Sequence, residues 1–321
     1  MIETPLLLMK LVGLWLLLTT VASQIAALAY PAYARQLDRC APGSRSALRL
    51  VYGLMPVFAS SLVVLLMSHP ALAGLLVPEH CHAGECGAHV PVLGGGTLVS
   101  IGFAAFGALG GFLVLAALVW VSRRAMTRLR TLERLTRRMA RNEGHRVVEV
   151  DGLIACCVGL LRPEVLVSRG LMDALPKEQL QAVSAHEQAH ANRRDNLRGF
   201  LVHAATLAWP GQRRRQLRAD LAADAEQACD AEAARVTGDA GLVIDAMRGL
   251  AALGGQASLG RSVAFGEGSM TERIDALGAM QRDGRSSLFA VFSLGGFWLL
   301  LVGVLTALSH GFLEWLTAFG L

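Results

Sequence analysis

Four long apolar stretches constrain this chain more than any other feature of its sequence. They cover residues 5–30, 47–77, 92–121 and 288–308. A helix needs roughly 20 apolar residues to cross the hydrocarbon core of a bilayer, and each stretch reaches that length. Of the 321 residues, 53% are hydrophobic and only 17% are charged, whereas a soluble domain is about 25% charged. The sequence therefore predicts a mainly α, polytopic membrane protein with four transmembrane helices.

The residues between the third and fourth stretches have a different character. They are rich in charge, and they are numerous enough for one compact domain. We therefore expect three transmembrane helices in residues 1–121, a domain in residues 122–287, and a fourth transmembrane helix with a short tail in residues 288–321. A cleaved signal peptide is the alternative for the first stretch. Glu3, and the lack of any positive charge before Lys10, argue against it.

Arginine in the loops predicts which side each segment faces. Residues 31–49 contain four arginines, whereas residues 78–90 contain neither lysine nor arginine. A dense arginine cluster follows the third stretch, at Arg123, Arg124, Arg128, Arg130, Arg134, Arg137, Arg138 and Arg141. Because positive charge stays inside, we expect the central domain in the cytoplasm and both termini outside the bacterial inner (cytoplasmic) membrane. Arginines beside membrane segments also argue against nucleic acid as a partner.

Leucines spaced by three or four residues lie among these arginines. Leu129, Leu132, Leu135 and Met139 form the apolar face of a predicted helix. It is either a lipid-binding amphipathic helix or a continuation of the third membrane helix.

The central domain contains the sequence His186-Glu187-Gln188-Ala189-His190. Residues four apart share one face of a helix, so both imidazoles can reach a single metal ion. Pro176 and the polar residues after it predict that a helix begins there. Glu187 can take a proton from water whose pKa a zinc ion has lowered to about 7. The pattern predicts that His186 and His190 bind zinc and that Glu187 is the general base.

A catalytic zinc ion has three protein ligands and one open position, so a third ligand is expected downstream. The predicted helix at 219–236 contains Glu226-Gln227-Ala228-Cys229-Asp230. The first motif, followed by Arg193-Arg194-Asp195 and then by Glu-x-x-Cys-Asp, resembles the integral-membrane metallopeptidases of the BlaR/MecR (beta-lactam sensor-transducer) family. The resemblance implies that Glu226 is the third zinc ligand.

This resemblance covers nearly the whole chain. It implies a cytoplasmic gluzincin-type domain with a small β-sheet, held between three membrane helices and a fourth. The penicillin-binding sensor domain of that family has no counterpart here, because the chain stops soon after its fourth apolar stretch and has no Ser-x-x-Lys motif. We therefore expect the protease without the sensor.

Three further residues are candidates for supporting the site. Asp230 lies one helical turn beyond Glu226 and is expected to accept a hydrogen bond from a zinc-bound imidazole. Asp195 either does the same or caps the next helix. Arg273 resembles an arginine near the end of related domains, which implies stabilisation of an oxyanion; the alternative is an exposed helix charge. Cys229 is expected to be a small buried residue.

Three short segments carry predictions of their own. Residues 164–168 are expected to form an edge strand to which an extended substrate could pair. Gly107 and Gly111 have the spacing of a small-residue helix contact. In the outer loop, Cys81 and Cys86 either form a disulfide or bind a soft metal, with histidines 80, 82 and 89 as co-ligands.

The function predicted from the sequence is that of a zinc endopeptidase, which cleaves a protein or peptide substrate at the cytoplasmic membrane surface in regulatory signalling. The alternatives are a non-catalytic signal transducer with a structural metal site and a housekeeping quality-control protease. Glu187 favours catalysis, because a structural zinc site has no use for a carboxylate beside its ligand. The lipid bilayer is a second partner, and the sequence leaves open whether the chain forms a homo-oligomer.

Overall fold

A computed structural model describes residues 3–68, 80–82, 85–87, 98–136, 141–142, 145–253, 270–280 and 288–318. Within these ranges the chain is mainly helical. Four helices are long and apolar enough to cross a membrane: α1 (Glu3–Leu37), α2 (Pro42–Met67), α3 (Leu98–Thr136) and α10 (Leu288–Ala318). The predicted fold class, mainly α with four candidate membrane helices and a small sheet, is confirmed.

The ends of these helices differ from the predicted ones. The second stretch was expected to reach residue 77, but α2 ends at Met67, and residues 69–77 lie outside the described part of the chain. Helix α3 continues to Thr136 without a break. The backbone at Leu129 to Leu135 is therefore a continuation of the third membrane helix and not a separate element, while Met139 lies outside the described residues.

Helices α1 and α3 touch along their backbones. A Cβ atom added at Gly107 would lie 1.9 Å from the carbonyl oxygen of Met9 and 2.8 Å from the amide nitrogen of Gly13. At Gly111, an added Cβ would lie 3.1 Å from a methyl group of Val12. The predicted helix contact at these two glycines is thus confirmed, and a side chain at 107 would force the two helices apart.

A small mixed sheet begins the part of the chain that follows α3. Its strands are β3 (Arg141–Asn142), β4 (His145–Val148), β5 (Ala155–Val158) and β6 (Glu164–Ser168), in the spatial order β3-β4-β6-β5. The pair β4–β6 is parallel and the other two pairs are antiparallel. The prediction of an edge strand at 164–168 is therefore wrong. Its continuous apolar character reflects an interior strand, and β5 is the edge nearer the helices.

A separate hairpin lies between α2 and α3. It consists of β1 (His80–His82) and β2 (Glu85–Gly87), with Cys81 opposite Cys86 in the antiparallel register. The side chains of this hairpin lie outside the described part of the structure. The choice between a disulfide and a metal site at these cysteines stays a prediction.

Six helices lie in the described part of the region between the sheet and α10. They are α4 (Arg169–Ala174), α5 (Lys177–Arg193), α6 (Asp195–Ala205), α7 (Gly211–Thr237), α8 (Ala240–Ala252) and α9 (Met270–Met280). One apolar cluster joins β5, β6, α5 and α8. The other joins α1, α2 and α10 to Val202 of α6, Trp209 and Leu217 of α7. The α6–α7 segment therefore packs directly on the membrane helices.

Candidate metal centre

Helix α5 carries the first two candidate ligands into the interior. It begins at Lys177 after Pro176, as predicted, and packs between β5 and α7. His186, Glu187 and His190 are buried, with exposed fractions of 2%, 0% and 8%. Because His186 and His190 are one turn apart, both imidazoles face α7.

Three ligand atoms from α5 and α7 converge on one point. The Nε2 atoms of His186 and His190 lie 3.2 Å apart. Glu226 Oε2 lies 3.5 Å from His186 Nε2, and Glu226 Oε1 lies 3.4 Å from His190 Nε2. Ligand atoms about 2.0–2.1 Å from a tetrahedral zinc ion would be about 3.3 Å from one another. The three side chains therefore fit a zinc ion in their separations as well as in their chemistry.

The other nitrogen of each imidazole faces a carboxylate. His190 Nδ1 lies 2.9 Å from Asp195 Oδ2, and His186 Nδ1 lies 2.9 Å from Asp230 Oδ1. When each Nδ1–H faces its carboxylate, both Nε2 atoms carry lone pairs. Two lone pairs and a carboxylate then point at the same space. This arrangement is repulsive without a cation, which is why it fits a metal ion.

The same contacts shift the ionisation of the group. Burial by itself would lower the pKa values of His186 and His190, but the neighbouring carboxylates outweigh it and the pKa of each is raised. Burial would likewise raise the pKa of Glu226, but the two histidines reverse this and lower it. The carboxylate of Glu226 is thus held ionised, as a metal ligand must be.

A backbone turn between α5 and α6 brings Asp195 to His190. Arg194 has φ 55° and ψ 45°, the one non-glycine residue with positive φ in the described ranges. This left-handed residue ends α5 and lets α6 start at once, so Asp195 folds back to the last turn of α5. The Oδ2 atom of Asp195 contacts the side chains of His190, Arg193 and Cys229, and its Oδ1 has no hydrogen-bond partner among the described residues, so the side chain does not cap α6. Of the two roles considered for Asp195, the structure contains the contact with the imidazole of His190.

Arg273 reaches the site from α9. Its Nε and Nη2 donate to the two carboxylate oxygens of Asp230 at 2.8 and 2.6 Å, and its Nη1 lies 3.2 Å from Glu226 Oε2. The side chain is only 11% exposed, so the expectation of an exposed helix charge is wrong. Two N–H groups of a guanidinium can bind both oxygens of a carboxylate. Here the guanidinium of Arg273 links Glu226, the third candidate ligand, to Asp230, which faces His186.

Glu187 is a buried carboxyl group that lacks well-aligned hydrogen-bond donors among the described residues. It is fully buried, and neither carboxylate oxygen has a well-aligned hydrogen-bond partner among the described residues, although the Cys157 backbone N–H lies nearby. Burial raises the pKa of this carboxyl, while His186 and His190 act in the opposite direction. A buried carboxylate with so few donors is costly, and within the described ranges no side chain supplies one.

Cys229 contributes more to the site than the sequence indicated. It is fully buried, as expected, and its Sγ lies 3.6 Å from Asp195 Oδ2, within range of a thiol hydrogen bond. Burial raises the pKa of this thiol to about 11. His190, Asp195 and Cys229 are also close enough to form a second group of metal-binding type, but it shares His190 with the first. Cys229 lies three residues after Glu226 in the sequence, and this spacing is the signal that could have indicated its place at the site.

Strand β5 is the edge of the sheet that lies beside α5. The Ser168 amide donates to the Ile154 carbonyl at 2.8 Å, so in the antiparallel alternation the backbone groups of Ala155 and Cys157 point away from β6. Asn196 donates to the Cys157 carbonyl at 3.1 Å and closes that part of the edge. The backbone of Ala155 is also turned away from β6, but this residue is buried, with an exposed fraction of 1%. Asn196 could not be predicted from the sequence, because its role depends on how α6 meets the sheet.

Comparison with protein-family models gives one match, within this region.

Residues 122–210 match the family model described as Peptidase family M48.

The family consists of zinc metallopeptidases, and the match supports a metallopeptidase here. The matched residues include His186, Glu187 and His190 but end before Glu226. No curated protein and no solved structure matches the chain.

Proposed function

We propose that the protein is a zinc-dependent endopeptidase of the membrane. In this proposal His186, His190 and Glu226 hold the zinc ion, and Glu187 is the general base. The observation that carries the proposal is the convergence of three buried ligand atoms beside a buried carboxylate that lacks an aligned donor. The match of residues 122–210 to a peptidase family supports it independently.

The chain's own residues would divide the chemical work. A bound zinc ion would supply Lewis acidity and lower the pKa of water. Glu187 would take a proton from the attacking water and deliver it to the leaving amine, because it lies beside both histidines and is engaged by no side-chain donor among the described residues. Asp195 and Asp230 would hold the imidazoles in the tautomer that leaves Nε2 free.

Arg273 has two roles in this proposal. Its bonds to Asp230 and Glu226 orient the side chains around the metal. A guanidinium has five N–H donors, so donors remain to stabilise negative charge on a substrate carbonyl oxygen. The first role follows from its contacts, and the second from its position beside Glu226.

An extended peptide is the substrate form that suits the site. The edge strand β5 packs on the same helix that carries Glu187. Ala155 is only 1% exposed, so a peptide could pair with its outward backbone groups only after the segment that covers them has moved. This edge replaces the one expected at 164–168. A peptide paired at Ala155 would run alongside the candidate metal centre.

The setting at the membrane surface completes the proposal. The packing of the α6–α7 segment on the candidate membrane helices supports a site close to the bilayer, and the arginine distribution favours the cytoplasmic side. Cleavage of a regulatory protein, as the BlaR/MecR resemblance implies, is the role proposed. A structural metal site is the weaker alternative, because it would leave Glu187 buried without a purpose.

The test compares two glutamates of α5. Glu187→Gln in the full-length protein should retain one zinc ion per chain, measured by metal analysis, but lose protease activity on an unfolded protein substrate by a factor on the order of 10²–10⁴. Glu178→Gln, at an exposed position in the first turn of the same helix, is the matched control and should behave as wild type. Wild-type cleavage by Glu187→Gln would overturn the proposal for this residue.

A comparison of membrane proteomes identifies the substrate. Cells with the wild-type protein and cells with Glu187→Gln should differ in the abundance of a full-length protein and of its fragments. If the two proteomes are identical and purified protein cleaves nothing, the structural-metal alternative is the better description.

A further inference from the structure

A buried arginine lies near the start of membrane helix α2. Arg49 is 5% exposed. Its Nε donates to Asp224 at 2.6 Å, and its Nη1 donates to Asp220 at 2.7 Å and to the Tyr30 hydroxyl at 2.7 Å. The Tyr30 hydroxyl in turn donates to Asp220 at 2.6 Å. Charged residues within membrane segments are costly and are rarely present without a role.

The carboxylates of this cluster lie on the helix that carries the third candidate zinc ligand. Asp224 precedes Glu226 by two residues, so the two positions are only about 3 Å apart along the axis of α7. A step of two residues turns a helix by about 200°. Asp220 and Asp224 therefore face α2 while Glu226 faces the metal centre. Gln227, on the α2 side, also accepts a hydrogen bond from Arg45.

A second polar path leads from α2 to α5. Ser46, one turn before Arg49, is fully buried and accepts a hydrogen bond from Arg193 Nη2 at 2.8 Å. Arg193 Nε donates to Asp195 Oδ2 at 3.1 Å. That same oxygen lies 2.9 Å from His190 Nδ1. The first two turns of α2 thus contact both helices that supply zinc ligands.

We propose that Arg49 and Ser46 are positioning residues through which membrane helix α2 sets the geometry of the metal centre. Arg49 would fix α7, and with it Glu226, while Ser46 would fix Arg193 and through it His190. The inference rests on the proposed zinc site. It also gives a physical route from the membrane helices to the metal centre, which the sequence alone does not indicate. A displacement of α2 would change the separation of the candidate ligands.

Simple stabilisation is the competing explanation, and the apolar contacts around the cluster make the two separable. Tyr52 of α2 packs against Trp209, and Gly53 of α2 lies against Leu217 and Val202. These contacts hold α2 to the domain without any charge. A buried ion pair can be replaced by apolar residues of similar volume with little loss of stability. A positioning role would not survive that replacement, because the directed hydrogen bonds disappear.

The experiment replaces the pair in the full-length protein. Arg49→Met combined with Asp224→Leu removes the ion pair but also takes one partner each from Asp220 and Arg45, so its thermal unfolding midpoint should fall moderately; in the folded protein zinc should bind about tenfold more weakly, in the range typical when partners of metal ligands are removed. The cobalt(II)-substituted variant should also show a changed visible spectrum, because ligand geometry controls that absorption. Arg235→Met combined with Glu232→Leu, an exposed ion pair on the same helix, is the matched control and should change neither zinc affinity nor spectrum.

Two milder variants keep the test decisive if the double variant fails to fold. Arg49→Lys retains the charge but loses the fork that reaches two carboxylates, and Ser46→Ala removes only a hydroxyl. Each should weaken zinc binding several-fold in folded protein. Wild-type affinity and an unchanged cobalt spectrum in every folded variant would overturn the positioning role.

Wild type and His186→Ala, titrated alongside, test the zinc site itself. If wild type binds no zinc, or if His186→Ala binds it as wild type does, the proposed zinc site fails. If that site passes and the α2 variants match wild type, only the positioning proposal fails.

Discussion

Helix α7 has two polar faces that are built in opposite ways. On the face toward α2, the charges of Arg49 and Asp224 meet at 2.6 Å and neutralise each other. On the face toward α5, Glu226 meets two histidine nitrogens that carry lone pairs. One face is complete within the protein, and the other requires a cation. The difference indicates that the first face serves architecture and the second serves chemistry, although both are buried to a similar degree.

The largest expected effect comes from removing ligands on the incomplete face. His190→Ala and Glu226→Ala should each lose stoichiometric zinc, because two remaining ligands cannot hold the ion against water. Equilibrium dialysis followed by metal analysis measures the occupancy. His203→Ala, which removes a histidine of α6 that lies outside the group, should keep one zinc ion per chain. Full occupancy in Glu226→Ala would remove the assignment of the third ligand.

A smaller loss is expected when a partner of a ligand is changed. Asp230→Asn keeps the shape of the side chain but gives up the charge that faces His186 and Arg273. We expect zinc affinity to fall by about 10–100-fold, measured by competition with a chromophoric chelator. Glu232→Gln, an exposed change on the same helix, should have no effect. Equal affinities for Asp230→Asn and wild type would mean that Asp230 does not orient His186.

Protons should compete with zinc on the incomplete face. Although burial opposes it, Asp195 and the other carboxylates raise the pKa of His190 well above its usual value, and the pKa of His186 is also raised. A raised histidine pKa means that the metal-free site already binds protons near neutral pH. Zinc affinity should therefore fall as the pH is lowered through neutrality, by about tenfold per pH unit for each proton released. Zinc titrations at several pH values give the slope, and a slope of zero would show that the histidines are neutral before zinc binds.

The two faces also differ in how far the sequence revealed them. His186, Glu187 and His190 lie within one helical turn, so their proximity follows from local geometry alone. The place of Asp230 follows from helical spacing as well. Arg49 was different, since its charge was interpreted as a topology signal. Its partners are about 170 residues away in the chain, and only the packing of α2 on α7 brings them together.

The sheet and α9 illustrate the same limit. The strand at 164–168 was correctly located but wrongly assigned to an edge of the sheet. Its position depends on its pairing with β4, and the residues of β6 alone do not reveal that pairing. Arg273 was considered both as an oxyanion donor and as an exposed charge. Its contacts with Asp230 and Glu226 arise from the packing of α9 against α7. Interactions within one helix were thus predictable from spacing, and Glu226 was placed beside the histidines only through the family resemblance, whereas the contacts of Arg49 and Arg273 with other elements had no sequence signal.

The smallest expected effect concerns the backbone turn that joins α5 to Asp195. Arg194 adopts a left-handed conformation, which costs an L-residue roughly 1–2 kcal/mol and glycine nearly nothing. Arg194→Gly should therefore be more stable than Arg194→Ala by about 1 kcal/mol, since both lack the side chain and differ mainly in this strain. Thermal unfolding midpoints of the two purified variants measure the difference. Zinc affinity should be the same in both, because Asp195 keeps its place beside His190. If the glycine variant were less stable, something other than the conformation of residue 194 would hold the turn. If only the glycine variant lost zinc affinity, the rigidity of the turn, and not only its shape, would keep Asp195 against the imidazole.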